Sequence, residues 1–442
     1  MMRRNGDEHM KPARRRLLKL GVGGGVGVLA AGGLLAVDAL RPPRLAVRPW
    51  QAAADDGPVD LAAGLAADLR VRLLARAILA PNPHNRQPWL FTLPAGQPDL
   101  VAIGCDLDKR LPETDPFDRQ ITIGFGCLIE LLRLVALAQG VAVSIQPLPE
   151  GMPDTRAGGR LDARPVALVR FDRAGTVSDA DRAAALRLVD ALPDRRSTKE
   201  PFDDRALTGT EASAVLGLAA GAAGTAGGGW AGAPAAPAAM IAPAVVAAVR
   251  AIAWQAWVIE AETPAAFMES VRLMRIGRAE IDANPDGIAL GGPKLQLLHR
   301  LGLLSRTDLA DPDSDATALG RQIYDRMIAQ TPAFLAVATA DDGGRASELA
   351  AGAAWMRLDL AAAASGLAVH PVSQALQEFP EMAPAFQAMH QTVMAAGGPA
   401  FRQSLPAVAG DANLRLQMLG RFGHGPHIPP SPRHPVSAAL RT

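Results

Sequence analysis

Hydrophobic and polar positions along the chain divide it into helix-like and strand-like segments. Residues 59–80 have the spacing of an amphipathic helix, and 118–138 form a long apolar helix closed by Gly140. The strands predicted in this part are at 88–93, 99–104, 141–148 and 164–171. Because helices and strands are interspersed over a short length, the pattern predicts one α+β unit that ends near residue 175.

The later part of the chain is richer in alanine and glycine. A low-complexity spacer, GTAGGGWAGAPAAPAA, lies at 224–239. Helices are predicted around it at 179–192, 210–224 and 238–262. The glycines and prolines of the spacer predict a connecting segment that forms neither a helix nor a strand.

A polar, Gly/Pro-broken helical insertion is predicted at 263–312. A strand at 331–339 and a buried helix that ends at Gly366 follow, and the tail contains one strand and a Pro-rich arm. Both halves thus share a helix, a strand with a long Ala/Leu helix, and a final strand, which indicates internal duplication. We therefore divide the chain into 1–40, 41–178 and 179–442.

The N-terminus has the layout of an export signal. Residues 14–19 read RRRLLK and precede an apolar, glycine-rich stretch of 18 residues, with two prolines at 42 and 43. The order of Arg14, Arg15, Leu17 and Leu18 resembles the twin-arginine signal. The alternative is a plain membrane anchor, since such a stretch is just long enough to span a bilayer. We expect export by the twin-arginine translocation machinery to the periplasm or cell envelope, with the segment either cleaved or retained.

Composition and net charge reduce the classes of partner that the chain is expected to bind. The formal net charge is +1 and aromatic residues make up 4% of the chain, which argues against nucleic acid as a partner. Of the two cysteines, Cys127 lies in an apolar run where a buried thiol is expected; a disulfide with Cys105 is the alternative. The tail histidines at 424, 427 and 434 have no cysteine beside them, so we predict no metal site. The glycines of GGGWAG at 227–232 lack the strand and acidic residue of a dinucleotide fingerprint.

Two stretches concentrate candidate chemistry. APNPHNRQPWLF, residues 80–91, places short hydrogen-bonding side chains between a helix and a strand, where two prolines prevent helix continuation. PDRRSTKEPF, residues 193–202, places three cations and a hydroxyl just after a helix, a set that suits a phosphate monoester. The alternatives are a turn whose Asn and Gln cap local backbone, and a solvated basic turn.

Together these stretches resemble the FMN-dependent nitroreductase superfamily. Arg195, Ser197 and Lys199 match its phosphate motif, and PNPHNRQPW at 81–89 is similar to its Asn-x-Gln-Pro-Trp motif. GLAVHPVSQ at 366–374 resembles its loop over the flavin edge, and the tail contains a basic residue like that of its C-terminal pair. The resemblance covers most of residues 60–442. It implies that flavin is contacted by Arg195, Arg196, Ser197, Lys199, Pro81, Asn82, Pro83, Asn85, Pro371, Ser373, Gln374 and Arg433.

The order of the two motifs is reversed relative to that family, in which the site lies between two subunits. The resemblance therefore implies a fused pseudo-dimer with two mixed or antiparallel sheets, one FMN per chain and a lid-like insertion at 263–312, as in the Acg-type branch. Such a chain would act as a monomer. It would pass two electrons from NAD(P)H to a nitroaromatic or quinone-like acceptor through the flavin.

Two observations favour other functions. Ser373 and Gln374 replace the acidic residue and glycine common beside the flavin edge, and an exported enzyme meets little NAD(P)H. The competing hypothesis is a non-catalytic protein that stores or shields FMN under its lid, and a third is an envelope structural protein with a degenerate site.

Overall fold

A computed structural model describes residues 43–54, 63–155, 157–223, 234–341, 344–404 and 414–441. The predicted export segment at 1–40 and the glycine-rich part of the spacer, 224–233, lie outside these residues. In the described part, helices and strands alternate along the chain and two main sheets pack against helices. The predicted α+β class is confirmed.

The described residues contain fourteen α-helices. They are α1 Arg48–Ala54, α2 Ala63–Ala67, α3 Leu69–Ala77, α4 Arg119–Ala138, α5 Asp179–Val189, α6 Gly209–Gly221, α7 Pro243–Glu262, α8 Pro264–Leu273, α9 Gly277–Ala283, α10 Pro293–Arg300, α11 Arg306–Ala310, α12 Asp315–Ala329, α13 Arg345–Ala364 and α14 Ala383–Ser404. The predicted continuous helix over 59–80 is wrong, because Asp68 takes an extended backbone and caps α3 by accepting from the Arg70 N–H.

The first sheet contains the four predicted strands, which are confirmed as β1 Trp89–Thr92, β2 Leu100–Cys105, β3 Ala142–Pro147 and β4 Ala167–Asp172. The strand order is β11-β1-β2-β4-β3, in which β11, Leu440–Arg441, comes from the C-terminus. Leu440 pairs with Phe91 in parallel, so the end of the chain returns to the sheet of the first half. A strand of two residues is too short to give a periodic signal in the sequence.

The second sheet is antiparallel, with the strands β5 Ala235–Met240, β8 Ala333–Ala340, β9 Ala368–Pro371 and β10 Leu414–Gly423 in the order β5-β8-β10-β9. Strand β5 corrects two predictions, since it falls in the supposed spacer and in the first residues of the supposed helix at 238–262. Alanine and proline have low strand propensity, but pairing with β8 overrides it. Pro237 is tolerated there because β5 is an edge strand.

Helices α4 and α13 pack against each other between the two sheets. Gly126 and Gly352 lie at the contact, and a Cβ added to either would collide with a backbone carbonyl oxygen of the other helix. The Cys127 thiol donates to the carbonyl of Gly352 (3.2 Å). Both cysteines are free and buried, which confirms the buried thiols and rules out the alternative disulfide.

Two helices of the described part, α4 and α7, are long and apolar enough to cross a membrane. Helix α4 lies almost entirely inside the protein. One stripe of α7 side chains is buried in the hydrophobic core that contains residues of the second sheet. The stripe is formed by Val246, Val249, Ala253 and Ala256. Its opposite face is exposed at Ala247, Ala251 and Gln255.

The insertion at 263–312 contains helices α8 to α11, as predicted, and also two short parallel strands, β6 Met274–Ile276 and β7 Ile288–Leu290. It is attached to the first half by acidic side chains. Glu269 accepts from the hydroxyl (2.6 Å) and the N–H (3.0 Å) of Thr114. Asp286 forms an ion pair with Arg86 (2.9 Å). The insertion therefore lies across the boundary between the halves.

Candidate functional site

The basic turn after α5 begins with two arginines in different surroundings. Arg195 is 1% exposed; its guanidinium pairs with Asp359 of α13 (2.9 Å) and donates to the carbonyl of Leu79 (3.1 Å). Arg196 is half-buried and donates to the carbonyl of Ile428 (3.0 Å). A phosphate at this turn would have to compete with Asp359 for Arg195.

The rest of the basic turn runs beside β9. Ser197 forms a β-bridge with Val369, and the Thr198 N–H donates to the Val369 carbonyl (2.9 Å). Arg421 of β10 stabilises the turn, because its guanidinium donates to the carbonyls of Thr198 (3.3 Å) and Glu200 (3.1 Å). The predicted phosphate motif and the predicted flavin-edge loop are therefore neighbours.

Beyond β9, the flavin-edge loop is held by its own polar side chains. Pro371 is half-buried at the end of β9. The Ser373 hydroxyl is buried and donates to the Leu419 carbonyl (3.2 Å), while the Gln374 amide donates to the Tyr324 hydroxyl (2.8 Å). Ser373 thus stabilises the loop, and Gln374 joins it to α12.

The asparagine-rich turn has a strained backbone. His84, Asn85 and Gln87 have φ angles of 47°, 52° and 51°, in the left-handed region that side chains other than glycine rarely adopt. Asn82 stabilises the turn by accepting from the Gln87 N–H (2.7 Å), as the capping alternative predicted. Pro81 precedes the turn, and Pro83 opens its 3-10 helix. Such strain persists only where surrounding contacts impose it, and it is concentrated at functional sites.

The C-terminal arm provides those contacts. Arg433 donates to the carbonyls of Ile78 (3.0 Å) and Ala80 (3.0 Å) at the end of α3, and also to the side chain of Asn85. The Asn85 amide donates to the Pro432 carbonyl (3.0 Å). Because Arg195 and Arg433 both donate to the carbonyl of Leu79, the structure brings the basic turn and the asparagine-rich turn together. The carbonyls at a helix C-terminus attract such cations.

Trp50 of α1 lies among three guanidinium groups. Those of Arg195, Arg196 and Arg433 are 5.5, 5.0 and 5.7 Å from its ring. The indole N–H donates to the carbonyl of Ser431 (2.8 Å). Burial and the nearby Arg195 lower the pKa of Arg433 to about 9. The sequence analysis missed this cluster, because nothing local to Trp50 indicates cations that come from residues 145 or more positions away.

Lys199, the last cation of the basic turn, belongs with His84, Glu260, Ser270 and Gln377 to a cluster of polar side chains, whose shared surroundings we call the cleft. Its side chain is exposed, yet protein atoms surround it closely enough that desolvation lowers its pKa. Among the described residues, no carboxylate reaches Lys199 at ion-pair distance, and Glu260 raises its pKa only by a longer-range interaction. Its charge also lowers the pKa values of His84 and His370. Lys199 therefore lies within electrostatic range of both the asparagine-rich turn and β9.

A chain of hydrogen bonds joins the other members of this cluster. The Ser270 hydroxyl of α8 is 3.3 Å from His84 Nε2 and donates to the Glu260 carboxyl (3.2 Å). The Gln377 amide donates to the other oxygen of Glu260 (3.2 Å). Burial lowers the pKa of His84 to about 4, with help from Lys199 and Arg86, and burial raises the pKa of Glu260 to about 7.

An aromatic stack continues from this chain. Trp254 and Trp257 of α7 have ring centroids 5.2 Å apart, and Trp257 and Tyr324 have centroids 5.0 Å apart. All three are half-buried. Trp257 precedes Glu260 by three residues, so the two side chains lie on the same face of α7. The site therefore has an apolar aromatic wall next to its polar one.

Residues at the cleft have unused capacity to bind a polar planar group. Within the part of the chain that the structure describes, His84 Nδ1 and Gln377 Oε1 are buried without a hydrogen-bond partner, and Lys199 as a residue is exposed. Unpartnered buried polar atoms are rare in proteins and call for an explanation such as a bound group. A flavin ring carries both donors and acceptors and gains negative charge on reduction, so a cation and mixed polar atoms fit it.

No family model matches the chain. Two curated sequences from Mycobacterium tuberculosis (strains CDC 1551 / Oshkosh and ATCC 25618 / H37Rv), both described as "Putative NAD(P)H nitroreductase acg", are 29% identical over 126 residues. This chain is similar to a nitroreductase. The match spans 28% of this chain and 33% of each relative.

The solved structures that this chain matches also include nitroreductases. The FMN and NADPH-dependent nitroreductase NfnB from Sphigopyxis sp. strain HMH is 17% identical, with a TM-score of 0.35, over 58% of this chain and 98% of its own. The FMN-dependent nitroreductase NfnB from Mycobacterium smegmatis, in complex with NADPH, is 17% identical, with a TM-score of 0.32, over 59% and 98%.

Proposed function

We propose that this chain is an FMN-dependent oxidoreductase that passes two electrons from NAD(P)H to a nitroaromatic or quinone-like acceptor. The observation that carries the proposal is the convergence at one cleft of Lys199, the strained turn at His84 and the loop beyond β9. When bound, FMN supplies a ring nitrogen that accepts and donates a hydride equivalent. The similarity to nitroreductases supports the same assignment.

Different residues would bind different parts of the cofactor. Lys199, Ser197 and the unpartnered atoms of the cleft would hold the flavin, and Lys199 would stabilise negative charge on it. Asn85 and Arg433 would act through the backbone of the turn that they stabilise. Arg196 keeps part of its guanidinium in solvent, which suits a phosphate better than the fully buried Arg195 does. Asn85→Ala and Arg195→Ala should each lower the bound FMN fraction.

We also infer that the two halves, 41–178 and 179–442, form an intrachain pseudo-dimer with one FMN. The reciprocal contact of Gly126 and Gly352 between α4 and α13 supports a two-fold arrangement of two similar units. The return of β11 to the first sheet supports intertwined halves. The twin-arginine-like residues support export of the folded protein to the periplasm or cell envelope.

A second candidate function is FMN storage or shielding without catalysis. It is favoured by the insertion, which lies across the site as a lid would. The Gly287 N–H donates to the Asn85 carbonyl (3.1 Å), and the Gln87 amide donates to the Pro285 carbonyl (2.8 Å). Such contacts would limit access of a nicotinamide donor to the flavin.

Purified protein distinguishes these functions. Bleaching of a yellow flavin absorbance by NADPH supports the enzyme, and an inert yellow protein supports storage. A colourless protein that does not bind added FMN would contradict both, and would leave an envelope structural protein as the interpretation. The chain should be purified after cytoplasmic expression without residues 1–40 and also at full length, so that cofactor loading before export is preserved.

A further inference from the structure

Glu260 is a carboxyl group of the cleft. The similarity to nitroreductases gives this residue no role. Glu260 lies in the last turn of α7, three residues before the insertion begins, and it is half-buried. Both of its oxygens accept hydrogen bonds, from Ser270 of α8 (3.2 Å) and from Gln377 (3.2 Å). Two neutral donors therefore orient the carboxyl group without neutralising it by an ion pair.

Each element around Glu260 presents a charged or titratable group. Lys199 of the basic turn favours the carboxylate, while Glu269 of α8 opposes it. The charge of Glu260 contributes to the raised pKa of Tyr324 of α12, and the Ser270 hydroxyl connects His84 to Glu260. Burial outweighs the favourable contacts and raises the pKa of Glu260 to about 7. The proton on Glu260 is therefore retained closer to neutral pH than the proton on an ordinary glutamic acid is.

The aromatic stack indicates where a planar acceptor would lie. Trp257 is on the Glu260 face of α7, and Tyr324 stacks on it. The stack therefore provides apolar ring surface on the Glu260 side of α7, against which the ring of such an acceptor would pack. An acceptor of this kind needs a proton as well as electrons.

We propose that Glu260 is a catalytic residue that donates a proton to an oxygen of the acceptor, with Ser270 and Gln377 as its positioning residues. The proposal rests on the proposed function. A quinone becomes a hydroquinone by taking up a hydride equivalent, which originates from NAD(P)H, and one proton; both C=O bonds become C–OH. The proton leaves the Glu260 carboxyl, and the resulting carboxylate regains a proton from water in the cleft.

The test compares two acceptors on flavin-loaded protein that has been reduced with dithionite, so that it does not depend on NADPH. 1,4-Naphthoquinone needs protons, whereas ferricyanide accepts one electron and no proton. In stopped-flow measurements, Glu260→Gln should slow reoxidation by naphthoquinone by roughly 100-fold, the lower range for loss of a general acid. Reoxidation by ferricyanide should not change. Glu262→Gln, an exposed neighbour on α7 that pairs with Arg321, is the matched control.

The pH profile separates a proton donor from a structural role. The naphthoquinone rate of the unaltered protein should fall as the pH rises through about 7, because the protonated fraction of Glu260 falls. The Glu260→Gln profile should be flat in that range. The infrared difference spectrum between the flavin-free unaltered protein and flavin-free Glu260→Gln should show a protonated carboxyl band. As the pH rises, this band should be lost with the same midpoint as the naphthoquinone rate.

Several results would overturn the proposal. An unchanged naphthoquinone rate in Glu260→Gln, an equal fall with both acceptors, or a pH profile retained in the variant would each do so. These results differ from failure of the proposed function, which would appear as absence of bound FMN or of bleaching by NADPH in the unaltered protein.

Discussion

Lys199 differs from the other cations of the basic turn in what surrounds its charge. Arg195 is neutralised by Asp359 and buried, so its removal would leave an unpaired carboxylate in the core, a change that costs about 3–5 kcal/mol. Loss of flavin from an Arg195 variant would therefore report folding as well as binding. The Lys199 side chain is exposed and forms no ion pair within the described residues, so its removal tests the cleft alone.

Lys199→Ala should weaken FMN binding with little change in thermal stability. Loss of one charged hydrogen bond is worth about 1.5–3 kcal/mol, which raises the Kd by roughly 10-fold to 100-fold. The Kd is measured by flavin fluorescence with the apoprotein, and the Tm by calorimetry. Lys294→Ala, at an exposed position of α10, is the control. Equal FMN affinity of Lys199→Ala and the unaltered protein would remove Lys199 from the cofactor site.

The strained turn at His84, Asn85 and Gln87 could be anticipated only in part. The prolines and short polar side chains predict a turn after α3, and that prediction is confirmed. The left-handed conformations and the contacts with Arg433 could not be predicted, because they are imposed by an arm some 350 residues further along the chain. The capping of Gln87 by Asn82 is local, and the sequence did indicate it.

At the scale of elements, the packing of α4 on α13 depends on two glycines. Their Cα atoms allow the helices to approach so closely that a methyl group at either position meets backbone of the partner. Backbone cannot move aside as a flexible side chain can, so the cost falls on the interface itself.

Gly126→Ala should lower the free energy of unfolding by about 3 kcal/mol or more, at or above the usual range for overpacking. Chemical denaturation measures the change. Gly217→Ala is the matched control, because it lies within α6 and an added Cβ meets nothing within 4 Å. That control should be neutral or stabilising by up to ~1 kcal/mol, since alanine has the higher helix propensity. Similar losses for both variants would contradict the close-packing explanation.

The insertion at 263–312 is an element whose attachment can be weakened selectively. Asp286 accepts from Arg86 (2.9 Å) on the first half and from Arg275 (2.7 Å) within the insertion. Asparagine at this position would keep one acceptor oxygen, but the two half-buried guanidinium groups would lose their shared negative partner.

Asp286→Asn should therefore increase the rate of limited proteolysis within 263–312 by about 10-fold, which corresponds to ~1.4 kcal/mol of opening free energy. If the insertion acts as a lid, reduction of bound flavin by NADPH should become faster in the same variant. Asp313→Asn, at an exposed position just after the insertion, is the control. Unchanged proteolysis in Asp286→Asn would show that this ion-pair cluster does not hold the insertion down.

At the scale of the whole molecule, the cleft is assembled from five segments of one polypeptide. They are the turn at His84, the basic turn at Lys199, the end of α7, the start of the insertion and the segment at Gln377, of which the end of α7 and the start of the insertion follow each other directly in the chain. A site built in this way needs no second copy of the chain.

Flavin titration should therefore give one FMN per chain, and light scattering should give a monomer at the same protein concentration. Both results follow if a single interdomain cleft holds the cofactor. The ratio should not change on dilution, because no subunit dissociation is involved. A ratio near two, or a ratio that falls on dilution together with a change in mass, would contradict the intrachain pseudo-dimer.

The sequence by itself determined the local structure with strong periodic or capping signals: the strands β1 to β4, helix α4, the buried cysteines and a turn at each of the two polar motifs. It missed β5 and β11, whose residues form strands only because a partner strand is already present. Tertiary structure alone decided which charges meet. It gave Arg195 the buried Asp359 as a partner, left Lys199 facing a cleft, and placed Glu260 beside His84. The physical reason is that periodicity reports each segment's own burial, whereas desolvation and charge at a site are set by segments that are far away along the chain.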